Sequence, residues 1–256
     1  MLDLIRRAAA RSDLFAFNVV RRDRWVAARA RELPAGTKVL DVGAGSAPYR
    51  HLFGHCDYRT QDLVPLKPEQ LRFGGYSDID YVSDATAIPA PDASFDCVLC
   101  TEMLEHHPDP HRVIYEMARL LGPGGRVILT APLGSGLHQE PYHFYGGFTP
   151  WWYRRFLGEA GFESIRIEAN EGSFRFFSQE SIRFARTTIP FRHLPLLVSL
   201  AWLPFWLFLL PWLCLLIPLA ASALDRYDRE RRFTIGYHVT AVRIDPGDPA
   251  GGRAAP

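Results

Sequence analysis

Lys38-Val39-Leu40-Asp41-Val42-Gly43-Ala44-Gly45-Ser46-Ala47-Pro48 is the stretch on which the fold turns. A short β-branched run carries an acid and passes at once into glycines. Glycines directly after a strand let the backbone come close to a ligand and open the following segment with its amide groups exposed. α/β folds hold nucleotide-like molecules in this way. The same residues are also compatible with a plain tight turn, so the neighbouring sequence has to decide.

Four further strand-like segments follow in a regular rhythm. Asp57 to Gln61 leads to Asp62, about twenty residues after the turn, where an acid is placed to accept hydrogen bonds from ribose hydroxyls. Ile79 to Ser83 leads to Asp84-Ala85, and Phe95 to Cys100 runs into Thr101-Glu102-Met103-Leu104-Glu105-His106-His107. Arg126 to Thr130 follows the Gly122-Pro123-Gly124-Gly125 turn. Strands alternating with helical segments predict an α/β, doubly wound, mostly parallel sheet with helices on both faces.

Read in order, "VLDVGAGSAPYR", "SDATAIPAPDASFDCVLCTEMLEHHPDP", "LLGPGGRVILTAP" and "FTPWWYRRFLGEAGF" resemble the class I S-adenosylmethionine-dependent methyltransferases, in the group called methyltransferase type 11. The resemblance covers residues 34–170 and a last strand near 233–244. It implies a seven-stranded sheet whose last strand is antiparallel, with S-adenosylmethionine as cofactor. Asp41, Gly43 and Gly45 match the loop under the methionine part of that cofactor. Asp62 matches the ribose-binding acid, Asp84 and Ala85 the pair beside the adenine, and Thr101 and Glu102 the loop lining the reactive side. Ala47 stands where the family has a third glycine. A nicotinamide dinucleotide would also suit Asp62, but Asp41 before the glycines and the missing third glycine argue against pyrophosphate binding.

Methyl transfer needs alignment and closeness more than covalent help, and a hydroxyl or amine acceptor also needs a base. His106, after the fourth strand, and His138 and His143, in Leu137 to Tyr145 ahead of the Thr149-Pro150 helix start, are the candidates. For His106 a structural role in fixing its loop is the alternative. The spacing of these histidines matches no standard ligand pattern, so no metal is expected. Cys97 and Cys100, three apart on one strand, point to opposite faces, and all four cysteines are read as reduced.

The net charge of +1 argues against a nucleic-acid binder. The strongly apolar run Leu194 to Leu224 is different: it carries no charge until Asp225 and is flanked by Arg183, Arg186 and Arg192 on one side and Arg226, Arg229, Arg231 and Arg232 on the other. Arginines at both ends suggest that both remain at the cytoplasmic face of a membrane. Pro204, Pro211 and Pro218 recur every seven residues. A split near Pro211 gives two arms of about 22 Å, short of a roughly 30 Å hydrocarbon core, which predicts an apolar helical hairpin, re-entrant or in-plane. A buried core helix, a dimer interface, a lid and a tilted two-span hairpin are the alternatives.

The expected organisation is therefore basic amphipathic N-terminal helices in 1–33 and a cofactor-binding core in 34–171. An insertion follows in 172–232, with its apolar hairpin at 194–224, then the last core strand in 233–244 and a disordered tail in 245–256. The N-terminal arginines suit either an anionic lipid surface or the solvated face of a helix covering the sheet, and no signal peptide is apparent. The expected partners are a lipid or small-molecule acceptor and a membrane surface; oligomeric state is left open. The reading is a membrane-associated methyltransferase of a lipid, isoprenoid or lipid-linked acceptor. The alternatives are a soluble sugar or metabolite acceptor, and a non-catalytic cofactor-binding membrane module.

Overall fold

A computed structural model describes residues 12–244; the N-terminal residues 1–11 and the expected tail at 245–256 lie outside the described residues. Two compact units result, one of Arg22–Glu168 with Gly236–Pro256, the other of Met1–Arg21 with Ala169–Ile235.

The first unit is built on a seven-stranded sheet in the order β3-β2-β1-β4-β5-β7-β6. Its strands are β1 (Lys38–Val42), β2 (Asp57–Asp62), β3 (Tyr81–Val82), β4 (Phe95–Thr101), β5 (Leu121–Pro132), β6 (Phe162–Ala169) and β7 (Gly236–Arg243). β1 pairs in parallel with β2 and β4, β2 with β3, and β4 with β5, while β7 runs antiparallel to β5. The chain order thus reverses at β1, the place where α/β sheets open a crevice at their strand ends. Val39, Leu40, Val42, Val98, Leu99 and Leu129 are fully buried, as expected of strands covered on both faces.

Helix α1 (Phe17–Arg31) lays Val26 and Ala30 on Val39, Phe53, Cys97, Leu99 and Ile128. The described N-terminal helix therefore covers the sheet, and several of its arginines are engaged: Arg22 with Glu102 at 3.0 Å and Arg29 with Glu32 at 2.8 Å. Two strands differ from expectation. β3 is only two residues long because the Asp80 carboxylate accepts the Thr60 N–H and hydroxyl, both at 2.9 Å, in place of a backbone ladder. The glycine turn at 122–125 lies inside β5 as an irregularity, between the pairings Phe95 with Leu121 and Cys97 with Arg126. Cys97 and Cys100 are both buried and free. Helices α2 (Pro110–Leu120) and α3 (Pro150–Glu159) complete this unit.

In the second unit, α4 (Ser173–Thr187) lies antiparallel to one long apolar helix, Leu196–Tyr227. That helix consists of α5 (Leu196–Pro211), a π turn (Trp212–Leu216), α6 (Ile217–Leu224) and a closing 3-10 turn. The expected split near Pro211 is absent, so the apolar run is not itself a hairpin. The reason lies in how the freed backbone groups are handled. In the π turn the Ile217 N–H reaches the Trp212 carbonyl, so the Leu213 carbonyl would next require an N–H from Pro218, which has none. Ser181 of α4 donates its hydroxyl to that carbonyl at 2.8 Å instead.

The other contacts follow the same antiparallel order. Trp206 and Trp202 donate their indole N–H groups to the Ala185 and Thr188 carbonyls, at 3.0 and 2.9 Å, satisfying acceptors at the end of α4. At its start, Asp225 accepts the Gly172 and Arg175 N–H groups and Asp228 accepts that of Ser173, placing carboxylates on the positive end of the helix. A Cβ on Gly172 would lie 2.6 Å from Asp228 Oδ2, so a larger residue there would push that carboxylate away from the helix start.

Candidate active site

The turn after β1 is held from below by β2. Gly43 donates its N–H to the Gln61 carbonyl at 2.9 Å, and Gly45 donates to Asp62 Oδ2 at 2.9 Å. Gly43 has φ +71°, and a Cβ on it would sit 2.2 Å from Met103 Cγ, so only glycine fits between the turn and the segment after β4. Asp41 is buried and accepts the Tyr58 hydroxyl. Burial pushes its carboxyl up to about 7, against the opposing pull of that hydrogen bond.

Asp62 ends β2 with one oxygen on Gly45 and the other on the Val64 N–H at 2.8 Å. Burial raises its pKa, though these donors oppose the shift. The acid therefore shapes the glycine turn as well as standing beside it. Asp84 follows β3 with Ala85 buried next to it; its Oδ1 accepts the Thr86 N–H and hydroxyl and the His107 Nε2–H at 3.2 Å. Burial works to raise the Asp84 pKa, but the Thr86 and His107 donors outweigh it and hold it below the ordinary range.

Thr101 ends β4, and Glu102 follows in a left-handed conformation, φ +50°. Its N–H reaches the Thr130 carbonyl at 2.8 Å, Oε1 accepts the Thr130 hydroxyl at 2.9 Å, and Oε2 pairs with Arg22. Arg22 also donates to the Tyr49 hydroxyl at 3.2 Å. Sequence reasoning placed Arg22 only among the basic residues of the N-terminal segment. Nothing local marks it out, because its role depends on α1 docking across the sheet.

His106 comes together after β4 with His138 and His143, which follow it by more than thirty positions. The His106 and His138 ring centroids are 4.7 Å apart, His138 and His143 4.5 Å, and His106 and His143 5.7 Å. The loop carrying the last two is anchored by the Phe144 and Tyr145 N–H groups on the Glu105 carbonyl. Burial, with the neighbouring rings adding to it, lowers the His106 pKa to about 4, so this ring is neutral near pH 7. Glu105 was not singled out in the sequence. Its side chain is 1% exposed, Oε2 has no hydrogen-bond partner, and burial together with Glu102 drives its pKa well up. Tyr153, whose buried hydroxyl also lacks a partner, was likewise not anticipated.

Residues 40–129 match the model of the methyltransferase domain family. The chain carries a methyltransferase domain of the class I, S-adenosylmethionine-dependent family. A ubiquinone biosynthesis O-methyltransferase of Xanthomonas oryzae pv. oryzae is 40% identical to this chain over 140 residues, which is 51% of this chain and 54% of that protein. One from Idiomarina loihiensis is 33% identical over 102 residues, 37% of this chain and 42% of that protein. The chain thus spans about half the length of the curated relatives it matches. Phosphoethanolamine N-methyltransferase 2 of Haemonchus contortus, solved with S-adenosyl-L-methionine, shares the fold of the methyltransferase domain at a TM-score of 0.52 and 17% identity, over 93% of this chain and 56% of that one.

Proposed function

We propose that the protein methylates a hydroxyl group on a lipid, isoprenoid or lipid-linked acceptor, from the cytoplasmic face of a membrane. The observation that carries the reading is the placement, beyond the ends of the neighbouring strands β1 and β4, of a glycine turn tied to Asp62 and a cluster of imidazoles. Asp41, Gly43, Gly45 and Asp62 would hold the methionine and ribose parts of S-adenosylmethionine, Asp84 and Ala85 the adenine, and Thr101 and Glu102 would line the side on which the methyl group is exposed. A hydroxyl acceptor is favoured by the O-methyltransferases to which the domain is similar. His143 is the residue assigned to take the proton. Ser135 Oγ donates to the Gly146 carbonyl and so accepts from His143 Nε2, which leaves Nδ1 unprotonated. The acceptor oxygen attacks the methyl carbon in line, the sulfur–methyl bond breaks, and its electron pair stays on sulfur. Alignment and exclusion of water supply most of the acceleration.

The long apolar helix supports the membrane part. As one helix of 32 residues it measures about 48 Å, more than the roughly 30 Å hydrocarbon core that two arms would have fallen short of. Leu197, Phe205 and Phe208 are exposed on it.

Calorimetry with S-adenosylhomocysteine should give saturable binding that Asp62→Ala abolishes; no heat from the unaltered protein overturns the donor site. Methyl-tritiated donor incubated with membranes should label the organic phase. Label confined to the aqueous phase selects a soluble acceptor, and label in neither phase a non-catalytic module.

A further inference from the structure

The ligand atoms of Glu105, His106 and His138 all lie within 4.8 Å of one another. What they present toward each other is decided by the groups behind them. His106 Nδ1 lies 2.5 Å from the Tyr142 carbonyl oxygen and His138 Nδ1 2.9 Å from that of Gly136. A carbonyl only accepts, so each Nδ1 carries the proton and each Nε2 is left with a bare lone pair. His106 Nε2 then faces Glu105 Oε1 at 3.7 Å, and Glu105 Oε2 is buried without a partner. A bare His106 Nε2 thus faces the Glu105 carboxyl group, with a ring nitrogen of His138 within 4.8 Å of both.

Such a set has two chemical solutions, a shared proton or a cation. One proton can join one pair of acceptors, yet here two imidazole nitrogens and a carboxylate are gathered. Backbone carbonyls that pin the far nitrogen of each ring are the outer partners that metal-bound histidines have.

We propose that Glu105, His106 and His138 bind a divalent transition-metal cation. Two imidazoles and one carboxylate form a donor set with open positions, suited to zinc, cobalt or manganese rather than to magnesium, which takes oxygen ligands. The sequence argument against a metal rested on spacing along the chain. The ligands come instead from a 3-10 turn after β4 and from a loop after β5, joined by the Glu105 carbonyl.

The assignment also sharpens the proposed reaction, and on that point it rests on the reading above. A hydroxyl oxygen bound at an open position becomes more acidic, as metal-bound water does. Its proton passes to His143 Nδ1, and the oxygen attacks the methyl carbon as the sulfur–carbon bond breaks.

The test uses the full chain in detergent, stripped of metal and titrated with cobalt(II), followed by visible absorption and calorimetry. A single saturable equivalent is expected, with absorption bands that zinc(II) displaces. His138→Ala, on an exposed loop residue, and Glu105→Gln should each weaken binding about tenfold or more, on the scale seen when metal-site partners are removed. His51→Ala, exposed and far along the chain, should leave it unchanged. No saturable cobalt binding, or binding unaffected by His138→Ala, overturns the proposal. S-adenosylhomocysteine binding measured on the same metal-free samples separates the two readings: its retention keeps the donor site whatever the cobalt result.

Discussion

Leu40 on β1 and Leu197 on the long apolar helix are one side chain in two opposite settings, the first fully buried and the second 79% exposed. In the sheet unit apolar residues are removed from water by the fold, and polar groups such as Asp41 and Asp62 are buried with hydrogen-bond partners. Along Leu196–Tyr227 the order is reversed: the Leu213 carbonyl and the Trp202 and Trp206 indole N–H groups find partners at α4 while leucines and phenylalanines face outward. One unit draws its stability from inside the chain; the other offers its apolar surface to something else. An exposed apolar surface of this extent marks a contact with a bilayer or a partner.

The sharpest way to break the contrast is to charge the outward face. Phe205→Arg with Phe208→Arg should cost about 5–7 kcal/mol of transfer into a bilayer and release the protein from vesicles in a flotation assay, while cofactor binding is retained. If the double variant floats as before, the surface is not the membrane contact. Next, Leu40→Ala should lower unfolding stability by about 2–5 kcal/mol, against about 0.5 kcal/mol or less for Leu197→Ala, in chemical denaturation in detergent. Equal losses would mean that the helix face is packed as tightly as the sheet.

Asp41 gives a pH signature specific to the sheet unit. Its folded pKa of about 7 lies above the ordinary carboxyl value near 4, so the folded state holds a proton that the unfolded chain releases. The stability it contributes is complete below pH 4 and declines by about 1.4 kcal/mol per pH unit up to about 7. Asp41→Asn should flatten that slope in urea titrations at successive pH values. A modest effect is expected from Ser181→Ala, which leaves the Leu213 carbonyl without its donor, at about 1 kcal/mol in thermal unfolding.

The contrast also explains what could be read from the sequence. The placement of Asp41, Gly43, Asp62 and Asp84 at or beside strand ends was legible because a short strand and the turn after it lie within a few residues of each other. The seven-stranded sheet with an antiparallel last strand was implied by the family resemblance. The continuous helix was not legible, because a proline's effect depends on whether its freed carbonyl finds a donor, and here the donor is Ser181, more than thirty residues away. Arg22 and Glu105 escaped for a related reason: their partners come from across the sheet and from a later loop. The histidines were visible as residue types, but which nitrogen each presents is set by the Tyr142, Gly136 and Ser135 contacts.

β7 reaches its place between β5 and β6 only after the whole insertion has been made, and His238 on it pairs in register with Thr130, whose hydroxyl holds Glu102. In a chain emerging from a ribosome, the apolar helix is therefore exposed before the sheet can close and before the segment after β4 has its full support. Contacts so distant in sequence form late and slowly. The apolar helix would thus be made before the sheet around the segment after β4 is complete, so that synthesis itself imposes the order in which the two units mature.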